Sequence, residues 1–191
     1  MTLQKNIVKI QPSKGSYLLF GGGEALLERI KRLSDLRFGE LMAVYEEGNR
    51  ENGALSYPNL SEGQQILCAE QDFYQFLSDF LKTAYSCYFV LSDDGHYVAA
   101  LRLEPYKDGL LLEALETKPG RRRMGYGQRL IMQTLEQIKT ETHCVYSHIS
   151  KKNLPSIRVH EKCGFQRILN EAVYIDGSVN DRAYTYCYRF Q

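Results

Sequence analysis

Apolar positions recur along the chain with two different periods. Phe38, Leu41, Met42 and Tyr45 stand three and four residues apart, which predicts one helical face. Ile66, Leu67, Phe73, Phe76, Leu77, Phe80 and Leu81 repeat that spacing, and Ser61 with Gln64 forms a capping-box pattern ahead of them. A further stripe, Leu130, Ile131, Thr134, Leu135 and Ile138, predicts a helix opening at Gly125. Leu26, Leu27, Ile30 and Leu33 read as a short amphipathic helix. The stretch 46–60, EEGNRENGALSYPNL, is rich in Gly, Asn and Pro and reads as a loop.

Elsewhere the period is that of strands. Ile7–Ile10 and Tyr17–Phe20 are short strand-like runs, and the glycines at 21–23 that follow read as a turn. Tyr85–Leu91, Tyr97–Glu104 and Leu110–Thr117 predict an antiparallel meander, with its first turn at Ser92-Asp93-Asp94-Gly95. Cys144–Ile149 is another strand. Asn153–Lys162 is a short helix bounded by Pro155 and Gly164. Phe165–Ile175 and Arg182–Phe190 then form two strands about a turn at Asp176-Gly177. In the last strand Tyr184, Tyr186, Tyr188 and Phe190 alternate with other residues, so they line one sheet face. Without repeats or a linker, residues 1–191 read as one α/β (α+β) domain.

Composition narrows the classes of function. Lys and Arg total 24 and Asp and Glu 23, so the formal charge of +1 argues against a nucleic-acid partner and against a polyanionic protein. The five cysteines are odd in number and form no C-x-x-C pair, which argues against structural zinc and a disulfide scaffold. The histidines lack metal-ligand spacing, so no metal is expected. There is no membrane-length apolar run and no signal-peptide core near the start, and a cytoplasmic protein is expected.

The segment that carries chemistry is Leu110–Leu130, LLLEALETKPGRRRMGYGQRL. An apolar strand runs into a loop with three arginines, and Gly125 and Gly127 open a helix. Unpaired N–H groups and the dipole at a helix start favour an anion, and glycines allow its close approach. From Lys118 to Arg129 there are five cationic side chains and no acidic one. The combination suits a pyrophosphate. A G-x-x-x-x-G-K-S/T phosphate loop is absent, and a dinucleotide turn would need a third glycine at Leu130.

These residues resemble the acetyl-CoA loop of the GNAT superfamily of N-acetyltransferases, V-x-P-x-x-Q/R-x-x-G-x-G/A. Thr117, Pro119, Arg122, Gly125 and Gly127 stand at the matching steps. A second block, NLPSIRVHEKCGF, is similar to the family's N-x-x-S/A-x-x-x-Y/H-x-K-x-G-F through Asn153, Ser156, His160, Lys162, Gly164 and Phe165. The resemblance is firm over about 85–191 and loose before it. It implies a mixed, mostly antiparallel, splayed sheet of six or seven strands flanked by helices. Acetyl-CoA would be the co-substrate. Backbone at Leu115, Glu116 and Thr117 would bond the pantetheine arm. The loop and helix start (Arg122, Arg123, Met124, Gly125, Tyr126, Gly127 and Gln128) would hold the pyrophosphate, and Asn153 and Ser156 would touch the arm or the adenine side.

The reaction so implied is direct attack of a primary amine, on a small molecule, peptide or protein, upon the thioester in a ternary complex. The amine must first lose a proton. Glu113 and Glu116 are the candidate bases, and their odd separation predicts opposite faces, with Glu113 beside Leu115 and Thr117. His160 stands where the family often carries a tyrosine general acid, and an imidazole of pKa ~6.5 suits either acid or base work. His148 is a further candidate for substrate contact, and Glu46, Glu47, Glu51 and Tyr57 are candidates for acceptor contact. The alternative to an enzyme is a non-catalytic acyl-CoA-binding or regulatory module. A monomer or a homodimer is expected.

Overall fold

The computed structural model describes residues 25–191, so the expected strands at Ile7–Ile10 and Tyr17–Phe20 and the turn at 21–23 lie outside the described residues. Strand β1 (Leu26–Ile30) is followed by helices α1 (Phe38–Val44), α2 (Glu46–Ser56) and α3 (Glu62–Phe80). The meander β2 (Cys87–Asp93), β3 (His96–Tyr106) and β4 (Gly109–Thr117) comes next, then α4 (Tyr126–Ile138), β5 (Cys144–Ser150) and α5 (Leu154–Lys162). Strands β6 (Gln166–Leu169), β7 (Ala172–Val173), β8 (Val179–Asn180) and β9 (Ala183–Arg189) close the chain. Seven strands make one sheet in the order β1-β2-β3-β4-β5-β9-β6, and β7 and β8 form a separate hairpin. Every neighbouring pair is antiparallel except β4–β5. Among the described residues no helix is long and apolar enough to cross a membrane.

The two sheet faces are covered by different helices. Leu130, Ile131, Leu135 and Ile138 of α4 pack with Phe89, Leu101, Leu112 and Val145. The aromatic side of β9 joins them, with Tyr186 buried and Tyr184, Tyr188 and Phe190 packed alongside. On the other face Leu41, Met42 and Val44 of α1 and Leu77 and Phe80 of α3 pack on Tyr88, Val90 and Ala100. The Ser61–Gln64 capping box closes the start of α3, as its sequence predicts.

Three expected elements are corrected. Residues 26–30 are a strand, because their backbone pairs antiparallel with β2, and an apolar run this short is decided by tertiary pairing. Residues 46–56 are helical. Their glycines serve helix packing: a Cβ on Gly53 would lie 2.5 Å from the Gln65 carbonyl oxygen, so only glycine lets α2 press against α3. The segment 165–175 is broken, with β6 ending at Leu169 and β7 turning away to pair with β8.

Two irregularities in the middle of the sheet shape the site. The β4–β5 ladder joins only Leu110–Leu112 to Val145–Ser147, although β4 runs on to Thr117 and β5 to Ser150. Beyond Leu112 and Ser147 the strands part. Just there β4 carries a bulge. Glu113 pairs with Arg102 and Glu116 with Ala100, so Ala114 and Leu115 stand against one residue, Leu101. Ala114 takes φ 50°, a left-handed conformation costly for a residue with a Cβ. Cross-strand partners share a face. Glu113 and Glu116 therefore both face the α1–α3 side, with Ala100, and not opposite sides as simple alternation predicts. Leu115 packs on the α4 side and does not share Glu113's face.

The core is close-packed around α4, and Leu130 is fully buried in it. Leu130→Ala is expected to cost about 2–5 kcal/mol of stability, read as a lowered midpoint in urea denaturation with an unchanged slope.

Candidate active site

Where β4 parts from β5, the end of β4 meets the start of α4. Gly125 precedes the helix at φ 82°, the left-handed conformation that glycine adopts without strain. A Cβ on Gly127 would lie 3.4 Å from Thr117 Oγ1, so the helix start sits directly against the end of β4. The Arg129 N–H donates to the Gly125 carbonyl at 2.9 Å, as the first turn of α4 closes. The preceding N–H groups, of Tyr126, Gly127 and Gln128, have no place in the helical ladder and carry its positive dipole end.

The end of β4, the loop after it, the start of α4 and α5 wall a cleft of about 660 Å³. From β4 it takes Leu115, Glu116 and Thr117, from the loop Arg122 and Arg123, and from the helix start Gly125, Tyr126, Gly127 and Gln128. Asn153 and Ser156 of the second block line it too, and the Asn153 side chain accepts the Ser156 N–H at 3.1 Å as the cap of α5. Three expected site residues lie outside the lining. Met124 points to solvent at 53% exposure, Glu113 faces Arg102, and His160 is buried. Arg158 and Lys162 on α5 add cations to the lining.

The loop cations do not stand as unopposed in space as in sequence. Arg121 lies 3.7 Å from Asp93. Arg122 pairs with Glu47 of α2 at 2.6 Å and with Glu116 at 3.2 Å. Both backbone polar groups of Thr117 are held by these same side chains. Its N–H donates to Glu116 Oε1 at 3.0 Å and its carbonyl accepts from Arg122 Nε at 3.2 Å. Glu47 is thus engaged with the loop, Glu46 pairs with Arg50 at 3.1 Å, and Tyr57 donates to Asp72 at 2.6 Å.

On the α1–α3 face, Arg102 donates to Glu113 Oε2 from Nε at 3.2 Å and from a terminal nitrogen at 2.6 Å. Its guanidinium lies 4.7 Å from the Phe76 ring centre, a cation–π contact. Glu104 stands 3.8 Å from Arg102, and its carboxyl is pushed up to about 7 by burial and by the neighbouring Glu113. His148 lies edge-on to Tyr106 and Tyr174, and burial holds its imidazole below the usual value. Arg102 and Glu104 escaped the sequence reading because they sit in an unremarkable strand whose role depends on the bulge opposite. Beside them, the Tyr45 hydroxyl donates to the Ala114 carbonyl at 2.5 Å and so ties the bulge to the end of α1.

His160 is 1% exposed and packs edge-on to Phe165. Its Nδ1 lies 2.8 Å from the Ser156 carbonyl oxygen, which can only accept, so Nδ1 carries the proton. In the neutral ring Nε2 is then a bare lone pair, and it has no partner among the described residues. Burial lowers the imidazole's affinity for a second proton.

The sequence profile of the acetyltransferase (GNAT) family matches residues 53–165. No curated protein is significantly similar in sequence. The fold is shared with solved structures. The PaiA N-acetyltransferase of Thermoplasma acidophilum, solved in complex with coenzyme A, has a TM-score of 0.59 at 14% identity, over 86% of this chain and 99% of that one. The ribosomal-protein-S18-alanine N-acetyltransferase of Escherichia coli gives 0.57 at 16% identity, over 87% and 94%. A spermidine N-acetyltransferase chimera from Vibrio cholerae gives 0.59 at 17% identity, over 87% and 96%.

The His160 geometry sets a pH dependence. An unfolded imidazole titrates near ~6.5 and the folded one lower, so the unfolded state binds more protons below that value. This histidine's contribution to stability is therefore present above ~6.5 and lost as the pH falls through the folded value. NMR titration should find the His160 ring as the Nδ1–H tautomer with a midpoint below 6.5. A midpoint at or above that value contradicts the assignment.

Proposed function

The chain belongs to the acetyltransferase (GNAT) family, whose acyl donor is acetyl-CoA, and on that premise we propose that it acetylates a primary amine by direct attack in a ternary complex. The acceptor amine is carried by a small molecule, a peptide or a protein. The observation that carries this reading is that β4, where it has parted from β5, lines one cleft with the start of α4. A strand edge freed from its neighbour suits the amides of a pantetheine arm, and a helix start ringed by Arg122, Arg123, Arg158 and Lys162 suits a pyrophosphate.

In this reading the backbone at Leu115, Glu116 and Thr117 bonds the arm, and an N–H there polarises the thioester carbonyl. An arm bonded at Thr117 takes the place of the Glu116 carboxylate and the Arg122 guanidinium. Arg122 then turns to the pyrophosphate. Glu116, released, and Glu113, on the same face, are the carboxylates assigned to taking the ammonium proton. The amine nitrogen forms a bond to the carbonyl carbon, the C–S bond breaks, and the thiolate leaves, taking up the proton that the attacking nitrogen sheds as it becomes an amide. His160, with Nε2 bare, is assigned to holding the α5 turn at Ser156, not to donating that proton.

A thiol-release assay with acetyl-CoA and a panel of amines tests the transfer. Turnover of at least one primary amine is expected. Coenzyme A binding without turnover on any amine would instead favour a non-catalytic acyl-CoA-binding module. Removing a hydrogen-bonded charge costs about 1.5–3 kcal/mol, so Arg122→Ala should raise the KM for acetyl-CoA ~10–100-fold, with a smaller effect on kcat. An unchanged KM would remove Arg122 from the cofactor site.

A further inference from the structure

The fork has a second wall, on the face away from α4, and its chemistry is specific. Glu113 is the first residue of β4 beyond the parallel ladder, and His148 the first of β5. Both stand at the apex where the strands part. Glu104 joins them from β3, and Arg102 touches both carboxylates, 2.6 Å from Glu113 and 3.8 Å from Glu104. The carboxylate side chains keep 20% and 22% of their surface open, so a solute can reach them.

Two further observations point to a ligand. Tyr88 is fully buried, its ring stands across the ladder from Arg102, and its hydroxyl has no partner among the described residues. Both ring nitrogens of His148 are likewise buried and unpartnered. Buried polar groups are ordinarily satisfied, so these side chains call for a water or a ligand. A separate cleft of about 420 Å³ between α2 and α3 ends at Arg102 and Ala114, the residues flanking Glu113.

The charge balance decides what would complete the site. One guanidinium faces two carboxylates, and that guanidinium is committed to Glu113 and stacked on Phe76. Glu104, pushed up to about 7 by burial and by Glu113, ionises in full only when a second cation joins Arg102, whereas an anion would hold it protonated. Resting on the acetyl-transfer reading above, we infer that Glu104, Glu113 and Arg102 form the acceptor subsite, and that it selects alkylammonium acceptors over neutral or anionic amines. The ammonium docks against the two carboxylates at the fork apex, beside the strand edge where the thioester is expected.

The test compares n-butylamine, cationic at neutral pH, with O-methylhydroxylamine, which is neutral there, and with glutamate, on wild type, Glu104→Gln and Glu104→Asp. Wild type should prefer n-butylamine in kcat/KM by at least tenfold. Glu104→Gln should cut that preference at least tenfold, mainly through the KM for the ammonium, and Glu104→Asp should restore part of it. Independent of turnover, n-butyltrimethylammonium, which cannot be acetylated, should bind wild type and bind Glu104→Gln at least tenfold more weakly in calorimetry. Preference for glutamate, or an equal fall for both other acceptors with the ratio kept, overturns the subsite. So does equal binding of n-butyltrimethylammonium to wild type and to a Glu104→Gln protein that melts like wild type. If no amine is acetylated yet this probe binds through Glu104, the transfer reading fails and the cation subsite stands.

Discussion

The site depends on one interruption: the hydrogen bonding between β4 and β5 stops after Leu112 and Ser147. A sheet interior does not ordinarily leave backbone polar groups without partners. Two neighbouring strands that part in the middle of a seven-stranded sheet must find substitutes. At Thr117 they are side chains, the Glu116 carboxylate on the N–H and the Arg122 guanidinium on the carbonyl. The strand end is therefore satisfied by charged, exchangeable groups. A ligand with amides of its own can displace them at little net loss, because one set of hydrogen bonds replaces another.

The bulge at Ala114 is the companion of that interruption. An extra residue in β4 turns Glu113 and Glu116 to one face and Leu115 to the other. The same strand thus presents an apolar side toward α4 and a carboxylate side toward α1–α3. Ala114 keeps its left-handed backbone because its surroundings hold it. The Tyr45 hydroxyl donates to its carbonyl, and β3 pairs on either side. Strain of about 1–3 kcal/mol held in this way is characteristic of sites where direction matters more than local stability.

Much of this was legible in the sequence, for reasons that can be named. The helix stripes of α1, α3 and α4, the Ser61–Gln64 cap and the Asp94-Gly95 hairpin are local signals, complete within a few residues. The anion cradle was legible because Gly125 takes a left-handed φ at the mouth of α4, a reason that acts within one turn of the helix. What escaped was non-local. The strand at Leu26–Ile30 exists because β2 lies beside it. Helix α2 looked like a loop because Gly53 is required by a contact with Gln65, not by its own turn. The common face of Glu113 and Glu116 cannot be derived from a spacing of three without the bulge.

The charge balance follows the same rule. Along the chain, Lys118–Arg129 is a run of cations without an acid. In space, Glu47 comes from α2, Asp93 from β2 and Glu116 from β4 to meet two of its arginines. Long-range folding thereby converts a cationic segment into a partly neutralised loop. An anion of two phosphates competes for Arg122 against exposed carboxylates, and exposed ion pairs contribute about 0–1 kcal/mol. A phosphate at the α4 start meets backbone N–H groups as well as guanidinium forks, which the carboxylates do not. On the proposed reading the exchange therefore runs toward the anion, and it releases Glu116, which faces the α1–α3 side of the sheet from which an ammonium would come.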